Sequence, residues 1–232
     1  MKNGLILRRC VLACMLCLSM LTVRAQQAPS SKSTQSAVLR VACIGNSITY
    51  GDRIRNRAKD SYPAQLGVLL GEKYLVQNFG VNGATMLKVS DLPYMKTKAW
   101  NDAKDFNPNI VIIKLGTNDS KPGNWVNKKN FAADMQAMID TLRALPSKPT
   151  IYLCSPAKAF SNRFGIRDSI IKADIIPLVQ QVAKKNHLQL IDLYAITKDH
   201  PEIYVDEIHP NEIGAGMLAK EIFRVIRETP KK

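Results

Sequence analysis

Between residues 38 and 228, short apolar segments alternate with longer segments whose apolar residues recur at helical spacing. The short segments are rich in β-branched residues and several end at Gly or Pro, which is typical of buried strands. Five strands are predicted in this way, at 38–45, 74–80, 109–116, 150–156 and 188–194. The helical periodicity predicts four helices, at 62–73, 130–145, 169–186 and 211–228.

Strands that alternate with helices predict a parallel sheet covered by helices on both faces. With right-handed crossovers, the result is a three-layer α/β/α fold around a doubly wound, five-stranded parallel sheet. Pro177 is a candidate kink in the third helix, and Asn211 is a candidate N-cap of the last one. Ligands of such folds bind at the carboxyl ends of the strands, so residues that follow strands are the first candidates for a site.

Reactive or flexible residues occupy these positions after four strands. Ser47 follows the first strand in IGNSITYGD, and Gly83 follows the second in NFGVNGAT. Asn118 follows the third strand in LGTNDS, and VDEIHP, with Asp206 and His209, lies between the fifth strand and the last helix. A hydroxyl, flexible backbone amides, a carboxamide and an acid–base pair are the parts of an acyl-transfer site.

Each of these residues has an ordinary structural explanation when taken alone. A Ser between a strand and a helix is typical of an N-cap, Gly83 and Asn118 of turns, and His209 of a surface loop. Their convergence on one edge of the predicted sheet favours a site. Of the other histidines, His187 falls at the opposite edge, and His200 in the loop after the fifth strand is a reserve candidate.

The first 25 residues differ from the rest of the chain. Basic residues at 2, 8 and 9 precede a 14-residue apolar run at 10–23, which is short for a membrane span. This layout predicts a cleaved secretory signal peptide at 1–25 and hence a periplasmic or extracellular protein. An uncleaved N-terminal anchor is the alternative, and a lipoprotein cut before Cys14 is disfavoured because almost no apolar run precedes it.

The polar, Ser-rich stretch 26–37 predicts a disordered linker, followed by a single domain at 38–228. The formal charge is +14, but residues 1–25 hold four basic and no acidic residues, so the remainder carries about +10. Its lysines are scattered, so they are predicted to form a solvated surface that could favour binding to anionic glycans or to the cell envelope. No nucleic-acid partner is predicted.

Cys43 and Cys154 lie in predicted strands and are predicted to be buried free thiols, although the predicted periplasmic or extracellular location permits a disulfide.

Ligand-binding motifs of other protein classes are missing from the sequence. No His, Cys, Asp and Glu residues occur at metal-ligand spacing, and neither GxGxxG nor GxxxxGK[ST] is present. The chain is therefore predicted to bind no metal, dinucleotide or other cofactor. Once the signal peptide is cleaved, no stable membrane insertion is predicted.

Four segments resemble the sequence blocks of the SGNH hydrolases, the GDSL-type esterase/lipase superfamily: GNSIT at 45–49, GVNGAT at 80–85, GTND at 116–119 and DEIHP at 206–210. The resemblance extends over nearly all of the predicted domain and is nearest to bacterial sialate O-acetylesterases and acetylxylan esterases. It implies a flavodoxin-like SGNH fold with Ser47 as nucleophile, His209 as base and Asp206 as its partner. It also implies an oxyanion hole made by the N–H groups of Ser47 and Gly83 and the side chain of Asn118.

The first block departs from the usual Gly-Asp-Ser-Leu, since Asn46 and Ile48 replace the Asp and Leu, but neither residue belongs to the implied triad. Thr49 stands where a GxSxG nucleophile elbow needs its second Gly, which argues against the α/β-hydrolase fold.

The resemblance implies a serine esterase that removes O-acetyl groups from carbohydrates. Trp125 is a candidate to stack on a sugar ring, or else packs in the fold. The alternatives are a lysophospholipase, thioesterase or arylesterase, an inactive glycan-binding module, or a flavodoxin-like nucleotide binder.

Overall fold

The structure is a computed structural model that describes residues 37–229. The predicted signal peptide and all of the predicted linker except Ala37 lie outside the described residues. The strands are β1 Leu39–Gly45, β2 Tyr74–Gly80, β3 Ile110–Lys114, β4 Thr150–Cys154 and β5 Gln189–Ile191. The helices are α1 Ser47–Tyr50, α2 Arg57–Asp60, α3 Tyr62–Leu70, α4 Lys98–Asp105, α5 Pro122–Trp125, α6 Phe131–Arg143, α7 Asp168–Ile170, α8 Ile176–Lys185, α9 Leu193–Thr197 and α10 Glu212–Glu228.

All five strands are parallel and lie in the order β2-β1-β3-β4-β5. The chain moves from β1 outward to β2, then returns past β1 to β3 and continues in the other direction. The topological switch point therefore lies between β1 and β3, where Gly45 is paired with Lys114. This is the predicted doubly wound, five-stranded parallel sheet.

Helices cover both faces of the sheet. Along β1, Ala42 and Ile44 point into one apolar layer, whereas Val41 and Cys43 point into the other. Helices α4, α6 and α8 bury their apolar faces in the first layer, and α3 and α10 bury theirs in the second. Because β1, β3 and β4 are covered on both sides, these strands carry nearly continuous apolar runs.

The two predicted free thiols are confirmed in the described part of the chain. Cys43 and Cys154 are both buried and unpaired. Both side chains lie in the layer beneath α3 and α10. Burial raises the pKa of both thiols, because a thiolate loses its hydration there.

The predicted third helix contains a widened turn. Ile171–Ile175 adopt π-helical geometry, and α8 begins directly afterwards with Pro177 at its second position. Pro177 has no N–H to donate to the carbonyl of residue 173, so the interruption predicted at this proline lies in the turn just before it. The strand predicted over 188–194 is shorter, since Asp192 accepts a hydrogen bond from the backbone N–H of Ala195 and starts α9.

The last helix begins as predicted. Asn211 caps α10, and its Oδ1 accepts a hydrogen bond from the Gly214 N–H at 2.9 Å. Helix α4 was not predicted, because its sequence is dominated by polar residues and only Trp100 and Ala103 are buried. Within residues 37–229, no helix combines the length and apolarity needed to cross a membrane.

Candidate active site

Two glycines allow the short helix α1 to pack on the ends of the strands. A Cβ at Gly45 would lie 2.0 Å from Thr49 Oγ1, and a Cβ at Gly80 would lie 2.1 Å from the backbone nitrogen of Tyr50. Side chains at these positions would therefore displace α1. The first residue of α1 is Ser47, so these glycines set where the predicted nucleophile lies.

A buried lysine lies beneath this turn. Lys114 is fully buried, and its Nζ donates to Asn46 Oδ1 at 3.4 Å. The same oxygen accepts the Ile48 N–H at 3.1 Å, which caps α1. Burial lowers the pKa of Lys114 to about 7, because the ammonium ion loses its hydration. Its position at the end of an apolar strand was the only sequence signal for this contact.

Ser47, His209 and Asp206 form a continuous chain of hydrogen bonds. His209 Nε2 lies 2.9 Å from Ser47 Oγ, and His209 Nδ1 lies 2.9 Å from Asp206 Oδ2 and 3.0 Å from Oδ1. An ionised carboxylate only accepts, so Nδ1 carries the proton and Nε2 accepts from the serine hydroxyl. All three residues are at most 9% exposed, which shields these hydrogen bonds from water.

The Asp206 carboxylate is held by its own turn. Its Oδ1 accepts the backbone N–H groups of Ile208 at 3.2 Å and His209 at 2.8 Å. Burial opposes ionisation of Asp206, but the hydrogen bonds, chiefly those from His209, outweigh it and lower the pKa of Asp206 below its ordinary value. The carboxylate is therefore ionised at neutral pH, where it stabilises a protonated imidazole.

Two charged residues that the sequence did not suggest lie beside this chain of hydrogen bonds. Asp52 Oδ2 lies 3.7 Å from His209 Nε2, and Arg53 Nε lies 3.4 Å from Asp206 Oδ2. Both follow Gly51, which ends α1 in the left-handed region at φ 87°. The turn brings Asp52 and Arg53 back over the site. Their only sequence signal was their place three and four residues after the GNSIT block.

Gly83 and Asn118 line the same cavity as Ser47. Gly83 has a φ of 80°, which glycine adopts without steric cost. Asn118 Nδ2 donates to the carbonyl of Ala84 at 3.1 Å, which orients the amide and leaves its second proton for a ligand. The Ser47 N–H, at the first position of α1, has no acceptor within that helix. These three groups suit an oxyanion.

Asp119 connects the two loops that carry these donors. Its fully buried carboxylate accepts the backbone N–H groups of Met86 at 3.0 Å and Leu87 at 2.8 Å. Burial raises the pKa of Asp119 to about 6 despite these donors. Because Asn118 precedes Asp119 directly and Gly83 lies three residues before Met86, the carboxylate sets the separation of the two loops.

The cavity that these residues enclose has a volume of about 180 Å³. Seven of its ten lining residues have polar or charged side chains, and Phe164 and Ile166 contribute the large apolar ones. Its lining consists of Ser47, Asp52, Arg53, Asn82, Gly83, Asn118, Lys121, Phe164, Ile166 and His209. The sequence reasoning missed Phe164, whose signal was a single aromatic residue in the polar segment SNRFGIR.

Two other candidates lie elsewhere. Trp125 is 6% exposed, packs on Phe131 with ring centroids 5.6 Å apart, and donates from Nε1 to Asp174 Oδ2 at 2.9 Å. The indole of Trp125 is therefore enclosed by protein and lies outside the cavity lining, which favours packing in the fold over stacking on a sugar. His200, the reserve candidate, lies on the surface with Nδ1 2.8 Å from Glu202 Oε1.

Comparison with known proteins identifies one matching family and a sequence relative described as an esterase. The sequence profile of the GDSL-like Lipase/Acylhydrolase family matches residues 43–216. An acetylxylan esterase of Xylanibacter ruminicola is 47% identical over 207 residues, covering 82% of this chain. The chain spans only 43% of the length of that relative.

Solved structures share the fold. A crystal structure of the acetyl xylan esterase AlAXEase superposes with a TM-score of 0.63 at 23% identity, covering 81% of this chain and 100% of that one. A putative arylesterase from Agrobacterium tumefaciens has a TM-score of 0.67 at 20% identity, covering 82% and 99%. The lipase/acylhydrolase from Enterococcus faecalis has a TM-score of 0.62 at 25% identity, covering 84% and 99%. The chain therefore belongs to the GDSL-like lipase/acylhydrolase family of SGNH fold, a family of carboxylic ester hydrolases.

Proposed function

We propose that this protein is an exported serine esterase that removes O-acetyl groups from carbohydrates by a Ser-His-Asp mechanism. The observation that carries the proposal is the buried chain of hydrogen bonds from Ser47 through His209 to Asp206. A serine hydroxyl is a weak nucleophile unless a base takes its proton, and His209 Nε2 lies at the required distance. His209 differs from the exposed His200–Glu202 pair, because it is buried and its second ring nitrogen contacts a serine hydroxyl.

In the first half of the reaction, His209 Nε2 takes the Ser47 proton while Ser47 Oγ attacks the ester carbonyl. The carbonyl oxygen becomes an oxyanion that accepts from the N–H groups of Ser47 and Gly83 and from Asn118 Nδ2. When the tetrahedral intermediate collapses, the imidazolium gives its proton to the alcohol oxygen, which leaves. Ser47 then carries the acyl group.

In the second half, water replaces the alcohol beside His209 Nε2. The imidazole takes a proton from water as the oxygen attacks the acyl carbon, and the same donors stabilise the second oxyanion. The proton then returns to Ser47 Oγ as the acid leaves. Throughout both halves, the Asp206 carboxylate keeps the proton on Nδ1 and favours the imidazolium by charge.

A small acyl group on a hydroxyl-rich alcohol fits the cavity best. Its volume of about 180 Å³ is small for a long acyl chain, and its large apolar side chains are those of Phe164 and Ile166. The rim carries Asp52, Arg53 and Lys121, whose charged groups suit hydroxyl groups. The related Xylanibacter ruminicola protein, described as an acetylxylan esterase, supports an acetylated carbohydrate as the substrate.

The test is acetate release by the purified protein from acetylated xylan, a 9-O-acetylated sialic acid and 4-nitrophenyl acetate, with a panel of longer acyl esters beside them. Turnover that Ser47→Ala abolishes and Ser147→Ala retains is the expected result. Ser147 is a matched control, because its hydroxyl lies in the loop before β4, at the opposite edge of the sheet. A preference for long acyl chains would favour a lysophospholipase or thioesterase instead. Binding of acetylated glycan without turnover would favour an inactive binding module.

Export is a separate part of the proposal and rests on residues 1–25 alone. Signal cleavage after Ala25 is supported by the basic N-terminal residues, by the 14-residue apolar run that follows them and by the residues Val23-Arg24-Ala25 before position 26. The N-terminal sequence of the protein recovered from the periplasm or medium of an expressing bacterium is expected to begin at Gln26. Recovery of the full chain from the membrane fraction would contradict cleavage and favour an N-terminal anchor.

A further inference from the structure

Phe164 is an exposed aromatic residue held beside the proposed active site. It lies in a 3₁₀ turn, Arg163–Gly165, and its backbone is left-handed at φ 57°, ψ 18°. The residue is 48% exposed, and its ring lies 5.7 Å from the His209 imidazole, at 59° to it. A non-glycine residue in this conformation is held there by its surroundings, and such residues concentrate at functional sites.

The segment that carries Phe164 is tied down at both ends. The Phe160 N–H donates to the Glu207 carbonyl at 2.8 Å, within the turn that carries His209. The Arg167 N–H donates to Ser120 Oγ at 3.0 Å, and Arg167 Nε donates to the Ser120 carbonyl at 2.8 Å. The segment therefore spans from the loop of the proposed base to the loop after β3.

The chemistry of acyl transfer identifies the part of the substrate that Phe164 meets. The imidazolium gives its proton to the leaving alcohol, so the alcohol oxygen lies beside His209 Nε2. The oxyanion lies instead towards Gly83 and Asn118. A ring that packs against the imidazole and lines the cavity therefore faces the alcohol portion of the ester, not the acyl portion.

We propose that Phe164 is a specificity-determining platform on which the pyranose ring of the acetylated sugar stacks. The inference rests on the proposed function and assigns the contact with the sugar ring to Phe164. One face of a pyranose is lined with C–H groups and packs on an aromatic ring, while its hydroxyl groups point outward at the edge. Asp52, Arg53 and Lys121 on the same cavity offer donors and acceptors for that edge.

The first test compares kcat/KM for three acetate esters: an acetylated methyl xyloside, phenyl acetate and ethyl acetate. Phe164→Leu keeps an apolar side chain but removes the aromatic face, and is expected to lower kcat/KM for the xyloside by about threefold to tenfold. The loss for ethyl acetate, which has no ring, is expected to be clearly smaller. Phe164→Trp is expected to retain the preference for the xyloside.

Phe160→Leu is the matched control. Phe160 is an aromatic residue of the same segment that packs on Tyr204, with ring centroids 5.2 Å apart, and does not line the cavity. Its substitution is expected to leave the ratio of xyloside to ethyl acetate turnover unchanged. A change in that ratio as large as that of Phe164→Leu would overturn the assignment to Phe164.

The second test measures binding without turnover. In full-length protein that carries Ser47→Ala, adding Phe164→Leu is expected to weaken calorimetric binding of acetylated xylo-oligosaccharide by a similar factor. Equal losses for all three esters, or a loss confined to phenyl acetate, would overturn the sugar platform while leaving the esterase intact. Acetate release that Ser47→Ala does not reduce would instead overturn the proposed function, and this inference with it.

Discussion

His209 Nε2 lies 2.9 Å from Ser47 Oγ although 162 positions separate the two residues along the chain. Ser47 starts the helix that follows β1, whereas His209 lies in the turn before the last helix. The two meet because all five strands are parallel and present their carboxyl ends at one edge of the sheet.

The three residues of the proposed triad should differ in how much activity depends on them. Ser47→Ala and His209→Ala are expected to abolish acetate release, because they remove the nucleophile and the base. Asp206→Ala is expected to lower kcat by about 10²–10⁴-fold, since the carboxylate orients and stabilises the imidazole without reacting. Steady-state kinetics on one substrate would measure all three. Wild-type turnover by Asp206→Ala would refute the triad assignment.

Asn118→Ala should act on the rate and hardly on binding. The amide is proposed to donate to the oxyanion, which forms only as the ester carbonyl is attacked and is absent from the bound ester, so the expected loss is about 10²–10³-fold in kcat with KM nearly unchanged. Asn127→Ala is a suitable control, because its side chain donates to the Val89 carbonyl at an exposed position. An equal rise in KM with constant kcat would instead make Asn118 a ground-state binding residue.

Gly80→Ala should disrupt the packing of α1. The new Cβ would lie 2.1 Å from the Tyr50 backbone nitrogen, so the backbone must move, and a loss of more than about 2 kcal/mol in the free energy of unfolding is expected. A Cβ added at Gly123 in α5 would meet no atom within 4 Å, so Gly123→Ala is expected to be neutral or slightly stabilising. Urea unfolding of both variants measures the difference. Equal stabilities would contradict the close approach of α1 to the strand.

Lys114 should make stability depend on pH. Burial lowers its pKa to about 7 in the folded protein, from 10.5 in the unfolded chain. Between these values the unfolded chain binds the extra proton, so the free energy of unfolding rises with pH above 7. Relative to Lys114→Met, the wild type is expected to gain about 2 kcal/mol between pH 7 and 9.

The comparison with Lys114→Met also controls for other groups. The two cysteines titrate in the unfolded chain near the top of this range, and both proteins contain them. Urea unfolding at several pH values between 6 and 9 gives the difference directly. A difference that stays constant across this range would show that Lys114 keeps one protonation state in both the folded and unfolded chains.

Much of the architecture could be read from local patterns. Continuous apolar runs such as 109–116 predicted strands buried on both faces, and the alternation of strands with helices predicted the parallel sheet. Because parallel strands must share one carboxyl edge, Ser47, Gly83, Asn118 and His209 could be assigned to one site before any distance was known. Their catalytic roles stay predictions until the variants are measured.

Tertiary structure decided what irregular segments do, since no periodicity tells which way a loop side chain points. Trp125 and Phe164 are both aromatic residues in such segments, yet packing on Phe131 encloses the first, and anchored loop ends hold the second in the open. Likewise, only the folded chain brings Arg53 to Asp206 and buries Lys114 beneath Asn46. The sequence by itself determined the five strands, the four long amphipathic helices and which residues lie at the same sheet edge, because those depend on local periodicity and parallel topology. The neighbours of each side chain at that edge depend on packing between segments distant in sequence, which only the tertiary structure decides.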